Sequence, residues 1–228
     1  MPPGDELPPE EQDWHRFQHL DYLGNHWQRP GWAKGRRSYH WLLTFEHAPG
    51  LHALAAQCQA PFRDHPQFDL VPLDGLHLTL QRVAFTDELP VSSLPAVLAA
   101  VKQRCQGMAP FQLRIGWLAG STGAIRFTAL PIEPTAEVHA MTTTPTSTPV
   151  DTPGHIPACA KEEFWPHVSI AYSNSTQLAA PVITQVAALR HLPPAEVLVT
   201  NVALVELRRE RRVYQWEMMG RVEMGKIQ

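Results

Sequence analysis

Residues 164–172 read FWPHVSIAY and residues 76–80 read LHLTL, and these two stretches decide the fold. In each, a histidine is followed by an apolar residue, a hydroxyl residue and another apolar residue. Side chains alternate between the faces of a strand, so residues two apart point the same way. His77 and Thr79 therefore share one face, with Leu76, Leu78 and Leu80 directed to a core. His167 and Ser169 likewise share a face opposite Val168 and Ile170. Each motif displays an imidazole beside a hydroxyl on an element anchored by aliphatic neighbours. One such motif is an ordinary half-buried strand. Two of them, 90 residues apart, each after a strand, a helix and a proline-containing loop, form a pseudo-repeat and imply two lobes.

Outward from the motifs, the chain reads as short strands mixed with short helices. Tyr39–Phe45 is a buried strand, and Gly50–Cys58 carries apolar residues at helical spacing. Phe68–Phe85 holds two apolar runs, the second containing the first motif. Leu94–Cys105 is a helix with a proline near its start. Phe111–Trp117 and Ala124–Leu130 form a hairpin around a glycine-containing turn. Pro181–Leu189 is a helix, and Val197–Leu207 with Val213–Val222 is a closing hairpin around Arg208-Arg209-Glu210-Arg211. The fold class is α+β with largely antiparallel sheets.

Two segments depart from this pattern. Residues 1–37 form an N-terminal extension, acidic and then basic, expected to be ordered in part at best, ahead of a single domain over 38–228. The Thr/Pro-rich stretch at 141–157 reads as a loop.

Composition narrows the function. With 44% hydrophobic and 18% charged residues among 228, the chain can bury a substantial core. A net charge of −3 argues against a general nucleic-acid coat but not against a local positive pocket. Three widely spaced cysteines fit a reduced, cytoplasmic protein. No run approaches the ~18 apolar residues of a membrane helix, so no membrane partner is expected.

Imidazole ordinarily titrates near ~6.5, so one ring can accept a proton while the other donates one. The adjacent hydroxyls can hold non-bridging phosphate oxygens. The paired motifs, and FWPHVSIAYS in particular, resemble the two-histidine (2H) phosphoesterase superfamily, which includes bacterial 2′-5′ RNA ligase-like proteins and RNA 2′,3′-cyclic phosphodiesterases. The resemblance spans Tyr39 to Val222. It implies a bilobal, pseudo-twofold body of two largely antiparallel sheets with outer helices and a central cleft. It implies His77 and His167 as the acid–base pair, and Thr79 and Ser169 as ligands of phosphate oxygens. The implied activity is opening of a 2′,3′-cyclic phosphate on an RNA end or a nucleotide, with reversible 2′-5′ ligation as a related reaction and no metal or cofactor.

Arg126, Arg82 and Arg208 are candidates for the positive charge at phosphate. Tyr39 and Tyr172 are candidates for stacking on a base, with Trp41 and Phe127 behind them. Two other readings compete. A metal-dependent hydrolase would use His15 and His19, which have helical i, i+4 spacing. A non-catalytic RNA-binding module would use Arg29–Arg37 and Arg208–Arg212.

Overall fold

The computed structural model describes residues 7–143 and 164–225. In chain order its elements are α1 (Pro9–Gln18), β1 (Tyr22–Leu23), β2 (Arg37–Thr44), α2 (Pro49–Gln59), β3 (Phe68–Leu70), β4 (His77–Phe85), α3 (Leu94–Cys105), β5 (Phe111–Ser121), β6 (Ala124–Leu130) and α4 (Ile132–Thr142). These are followed by β7 (His167–Ser173), β8 (Gln177–Leu178), α5 (Ala180–Leu189), β9 (Ala195–Val199), β10 (Asn201–Glu210) and β11 (Val213–Glu223).

Two antiparallel sheets make the lobes. One has the strand order β11-β10-β2-β4 and the other β3-β7-β6-β5-β9. Each contains one of the histidine strands, β4 or β7. Helix α3 covers the four-stranded sheet at β11, while α1 and α5 lie on β5. The expected α+β bilobal body with outer helices is the one observed.

Strand β2 shows how one element serves two compartments. Tyr39, Trp41 and Leu43 point into the main core, whereas Leu42 on the other face packs with Ala203, Val205 and Leu207 beneath Trp32, Tyr214 and Trp216. Continuous burial on both faces explains why this strand reads as unbroken hydrophobicity rather than as alternation.

Both histidine strands carry a β-bulge three residues after the histidine. On β4, Trp41 pairs with Gln81 and Leu42 with Thr79, so Leu80 is the extra residue. On β7, Ile125 pairs with Ala171 and Arg126 with Ser169, so Ile170 is the extra residue. The bulge turns the Ile170 carbonyl toward other donors. It accepts the backbone N–H of Val71 at 2.9 Å and the Gln59 side-chain amide at 2.9 Å. A bulge inverts the facing of every residue beyond it. Arg82 and Tyr172, each five residues after its histidine, are thereby brought to the same side as the imidazoles.

Several boundaries differ from the sequence reading. The extension is more ordered than expected. Helix α1 buries Asp13 and Phe17, and residues 20–36 run across one end of both lobes. Gly24 donates to Thr122, His26 donates to Ser173, and β1 pairs with β8. Apolar periodicity is weak in α1 because what it buries is chiefly one ring and one carboxylate. The stretch at 141–157 begins inside helix α4, which runs to Thr142, and its residues from 144 onward lie outside the described residues.

The segment Val197–Leu207 is two strands. Val199 ends β9 in one sheet and Asn201 starts β10 in the other, so the chain changes sheets at Thr200. The last turn is centred on Arg211 and Arg212, with φ of 49° and 61°. That left-handed pair matches the primed turn that suits hairpin twist.

Candidate active site

The lobes enclose a cleft of about 780 Å³. His77, Thr79 and Arg82 line it from β4, and His167, Ser169 and Tyr172 line it from β7. The first residues of both strands repeat one arrangement. His77 Nδ1 lies 2.8 Å from the Gly75 carbonyl and His167 Nδ1 lies 2.8 Å from the Trp165 carbonyl. A carbonyl can only accept, so each Nδ1 carries a proton and donates it. In the neutral ring, Nε2 is then left with a free lone pair for the cleft. The bond also fixes the ring's rotation, as positioned acid–base groups require.

Burial lowers the pKa of both rings. For His167 it falls to about 3, with burial the largest cause and the Arg126 guanidinium the next. His77 is lowered by burial, opposed by its bond to Gly75. The His77 ring meets Trp216 edge-on at 5.2 Å. The two imidazoles are thus alike in tautomer and unlike in charge environment, because a guanidinium stands beside His167.

That guanidinium is held from the extension. Arg126 Nη2 donates to Asp13 Oδ1 at 2.6 Å, and Thr128 donates to Asp13 Oδ2 at 2.9 Å. Asp13 is fully buried. Arg126 and Thr128 lie opposite Ser169 and His167 on the neighbouring strand, so the carboxylate braces the strand that flanks the second motif.

The extension also supplies a relay. Arg29 Nη2 lies 3.2 Å from His26 Nδ1, and His26 Nε2 lies 2.9 Å from the Tyr214 hydroxyl. A guanidinium can only donate, so His26 Nδ1 accepts. Burial, with Arg29 and Arg209 nearby, takes His26 to a pKa of about 2, so its ring is neutral and its proton sits on Nε2. His26 therefore donates to the Tyr214 oxygen. The phenolic proton is left free to point into the cleft, which Tyr214 lines. Burial raises the Tyr214 pKa, keeping that proton in place near neutral pH.

The candidate residues divide by strand face. His77, His167, Thr79, Ser169, Arg126, Arg82 and Tyr172 all reach the cleft. Tyr172 stacks on His26 with ring centroids 3.9 Å apart, so one of its faces is already covered. Tyr39, Trp41 and Phe127 do not reach it and are packed in the core, Tyr39 because it shares the β2 face of Trp41 and Leu43. Arg208 is also elsewhere, bonded to Glu210 and Glu217. Leu207 lines the cleft, so alternation turns Arg208 away. His15 and His19 lie with ring centroids 4.4 Å apart, but among the described residues no three His, Cys, Asp or Glu side chains gather as metal ligands. Asp13, His26 and Tyr214 are not among the residues the sequence points to, and Arg29 enters there only as part of the basic run Arg29–Arg37. The proximity of Arg29 and His26 was a signal of sorts, but their connection to Tyr214 crosses 188 positions.

A two-lobed body with an imidazole–hydroxyl pair from each lobe defines the two-histidine phosphoesterase class. Residues 51–211 match the family model of the 2′-5′ RNA ligase superfamily, and the chain belongs to that family. Solved structures of similar fold include TT0787 of Thermus thermophilus, 19% identical, covering 83% of this chain and 97% of its own, with a TM-score of 0.54. E. coli LigT in apo form is 14% identical, covering 83% and 98%, with a TM-score of 0.58. LigT complexed with 3′-AMP is 14% identical, covering 83% and 99%, with a TM-score of 0.55. No curated protein matches. The family model begins after α1 and the segment that follows it, so Asp13, His26 and Arg29 lie outside the matched residues. No helix among the described residues is long and apolar enough to cross a membrane.

Proposed function

We propose that this protein opens 2′,3′-cyclic phosphates by metal-independent acid–base catalysis, with His167 as base and His77 as acid. The observation that carries the proposal is the repeated tautomer lock, which leaves two Nε2 atoms for one cleft. Membership of a family of ligases and phosphoesterases supports it, as does the 3′-AMP bound by the similarly folded LigT.

His167 Nε2 takes a proton from water, and the resulting oxygen attacks phosphorus. The bond to the ribose 3′ oxygen breaks as His77 Nε2–H protonates that oxygen, leaving a 2′-phosphate. When a 5′-hydroxyl replaces water, the same displacement forms a 2′-5′ linkage. The roles follow from charge. Arg126 disfavours an imidazolium at His167, which suits a base. The anionic substrate counters the burial of His77 and favours a proton there. Thr79, Ser169, Tyr214 and Arg82 hold the non-bridging oxygens, where charge grows in the transition state.

The test is hydrolysis of a 2′,3′-cyclic nucleotide in EDTA. We expect turnover by the wild type and losses of about 10²-fold or more in His77→Ala and His167→Ala. Full rates in both variants, or abolition by EDTA, would overturn the proposal.

A further inference from the structure

The Tyr172 ring is hemmed in by the protein's own side chains. His26 stacks on one face at 3.9 Å, and Trp27 and Tyr214 meet the ring edge-on, each at 5.4 Å. The approach to the other end of β7 is built differently. Phe164 and Trp165, just ahead of His167, line the cleft together with His139 of helix α4. We propose that His139, Trp165 and the Nε of Arg126 recognise the nucleobase of the substrate, so that the enzyme selects uracil over adenine. The inference rests on the function proposed above and specifies its selectivity.

Two observations support it. The first is unmet hydrogen bonding. Among the described residues, buried side-chain polar atoms without a partner occur on Trp41, Thr135 and Gln185, which do not line the cleft, and on His139, Trp165 and Arg126, which do. His139 is 2% exposed, and neither of its ring nitrogens has a partner. Burial lowers its pKa, so near neutral pH the ring offers one donor and one acceptor. Trp165 Nε1 and Arg126 Nε can only donate. Arg126 is paired with Asp13 through Nη2, so its Nε is a donor whose charge is already balanced. Polar groups buried without partners are costly, and a ligand that satisfies them recovers the loss. Here donors outnumber the acceptor, which suits an edge with a carbonyl on each side of an N–H. Uracil carries such an edge, with O2 and O4 flanking N3–H. Adenine has no carbonyl and offers an amino donor instead.

The second is that these rings are held by their faces, which leaves their polar edges unused. His139 stacks on Phe164 with centroids 4.3 Å apart and planes 10° apart. The Arg16 guanidinium from α1 lies 4.6 Å from the centre of the Trp165 ring. Stacking fixes both rings without engaging a ring nitrogen, so donor and acceptor are positioned before a ligand arrives. An apolar wall with a few placed polar groups is the usual make-up of a site that orients a small molecule. The wall is also tied to the chemistry. The Trp165 carbonyl is the one that locks His167 Nδ1, and Trp165 precedes His167 by two residues, at most about 7 Å of extended chain. A base held there can belong to the same nucleotide as the reacting phosphate.

The experiment compares kcat/KM for uridine and adenosine 2′,3′-cyclic phosphates in the wild type, in His139→Leu and in Trp165→Phe. The wild type is expected to favour uridine by about tenfold or more, since a site built on hydrogen bonds rejects a base that leaves them unmet. Each variant should bring the ratio close to one. A purely structural role would slow both substrates alike and leave the ratio in place. Equal rates or an adenosine preference in the wild type, or a ratio that survives either substitution, would refute the assignment. If neither nucleotide is opened, the proposed reaction fails separately. Equilibrium binding of uridine and adenosine 2′-phosphates then decides: tighter uridine binding that both variants lose supports the base site, and any other pattern overturns it.

Discussion

Asp13 and Arg126 form a 2.6 Å ion pair across 113 positions of sequence, joining the first helix to the strand beside the second histidine motif. The carboxylate is fully buried, and its second oxygen is taken by Thr128. Removing one member of such a pair leaves the other charge buried without compensation. Asp13→Ala is therefore expected to cost about 3–5 kcal/mol in urea unfolding. Asp13→Ala/Arg126→Met should cost clearly less than the two single changes added together. Additive losses would show that the pair is not coupled.

Gly120 bears on the same helix. A Cβ there would run into the Phe17 ring, which α1 presses against β5. Gly120→Ala should displace α1 and weaken the Asp13 brace. We expect proteolysis near residue 20 to accelerate and stability to fall by about 1–3 kcal/mol, the range for overpacking. Unchanged protection of α1 would count against this docking.

Tyr214 acts through its hydroxyl. Because His26 donates to that oxygen, Tyr214→Phe removes a donor aimed at the cleft while keeping the ring against Tyr172 and Trp27. The rate on a cyclic phosphate is expected to drop about 10–100-fold with little change in stability, somewhat less than losing an oxyanion donor in a dedicated hole. His26→Phe should have a similar effect. A Tyr214→Phe variant of full activity would place the hydroxyl outside the reaction.

The assignment of base and acid is separable by leaving group. A nucleoside 4-nitrophenyl phosphodiester departs without needing a proton. His77→Ala should then keep its rate within about tenfold of the wild type, whereas His167→Ala should remain down by about 10²-fold. The opposite pattern would exchange the roles, and equal losses would argue against separate roles.

Buried neutral histidines make the fold acid-sensitive. His26 titrates at about 2, and His40 and His167 at about 3, mainly through burial, against an ordinary value of 6.5 in the unfolded chain. Between these limits the unfolded state binds protons that the folded state refuses, so stability falls as pH drops below 6.5 and levels off near 3. Each such ring contributes up to about 1.4 kcal/mol per pH unit in that window. Urea unfolding at pH 7.5 and pH 5 should differ by several kcal/mol. A flat profile would mean that these rings are charged in the folded protein.

The paired strands were legible in the sequence because a period of two is a local property. His77 with Thr79 and His167 with Ser169 follow from alternation alone, and both pairs line the cleft. Most helices and hairpins were legible for the same reason. Tyr39 and Arg208 were misplaced although alternation held. Their faces are fixed by which side of β2 and β10 meets the core, and that depends on strands far away in sequence.

By itself, the sequence determined an α+β chain with two imidazole–hydroxyl strands on cores of alternating aliphatics. The tertiary structure decided what surrounds them. The bulges at Leu80 and Ile170 bring Arg82 and Tyr172 round to the histidines; both form against neighbouring strands, and the one at Ile170 is also held by the Gln59 side chain. Asp13, His26 and Arg29 became part of the site because the N-terminal segment folds back across both lobes. Periodicity is written along the chain, whereas a hydrogen bond between distant residues is chosen by the packing that brings them within reach.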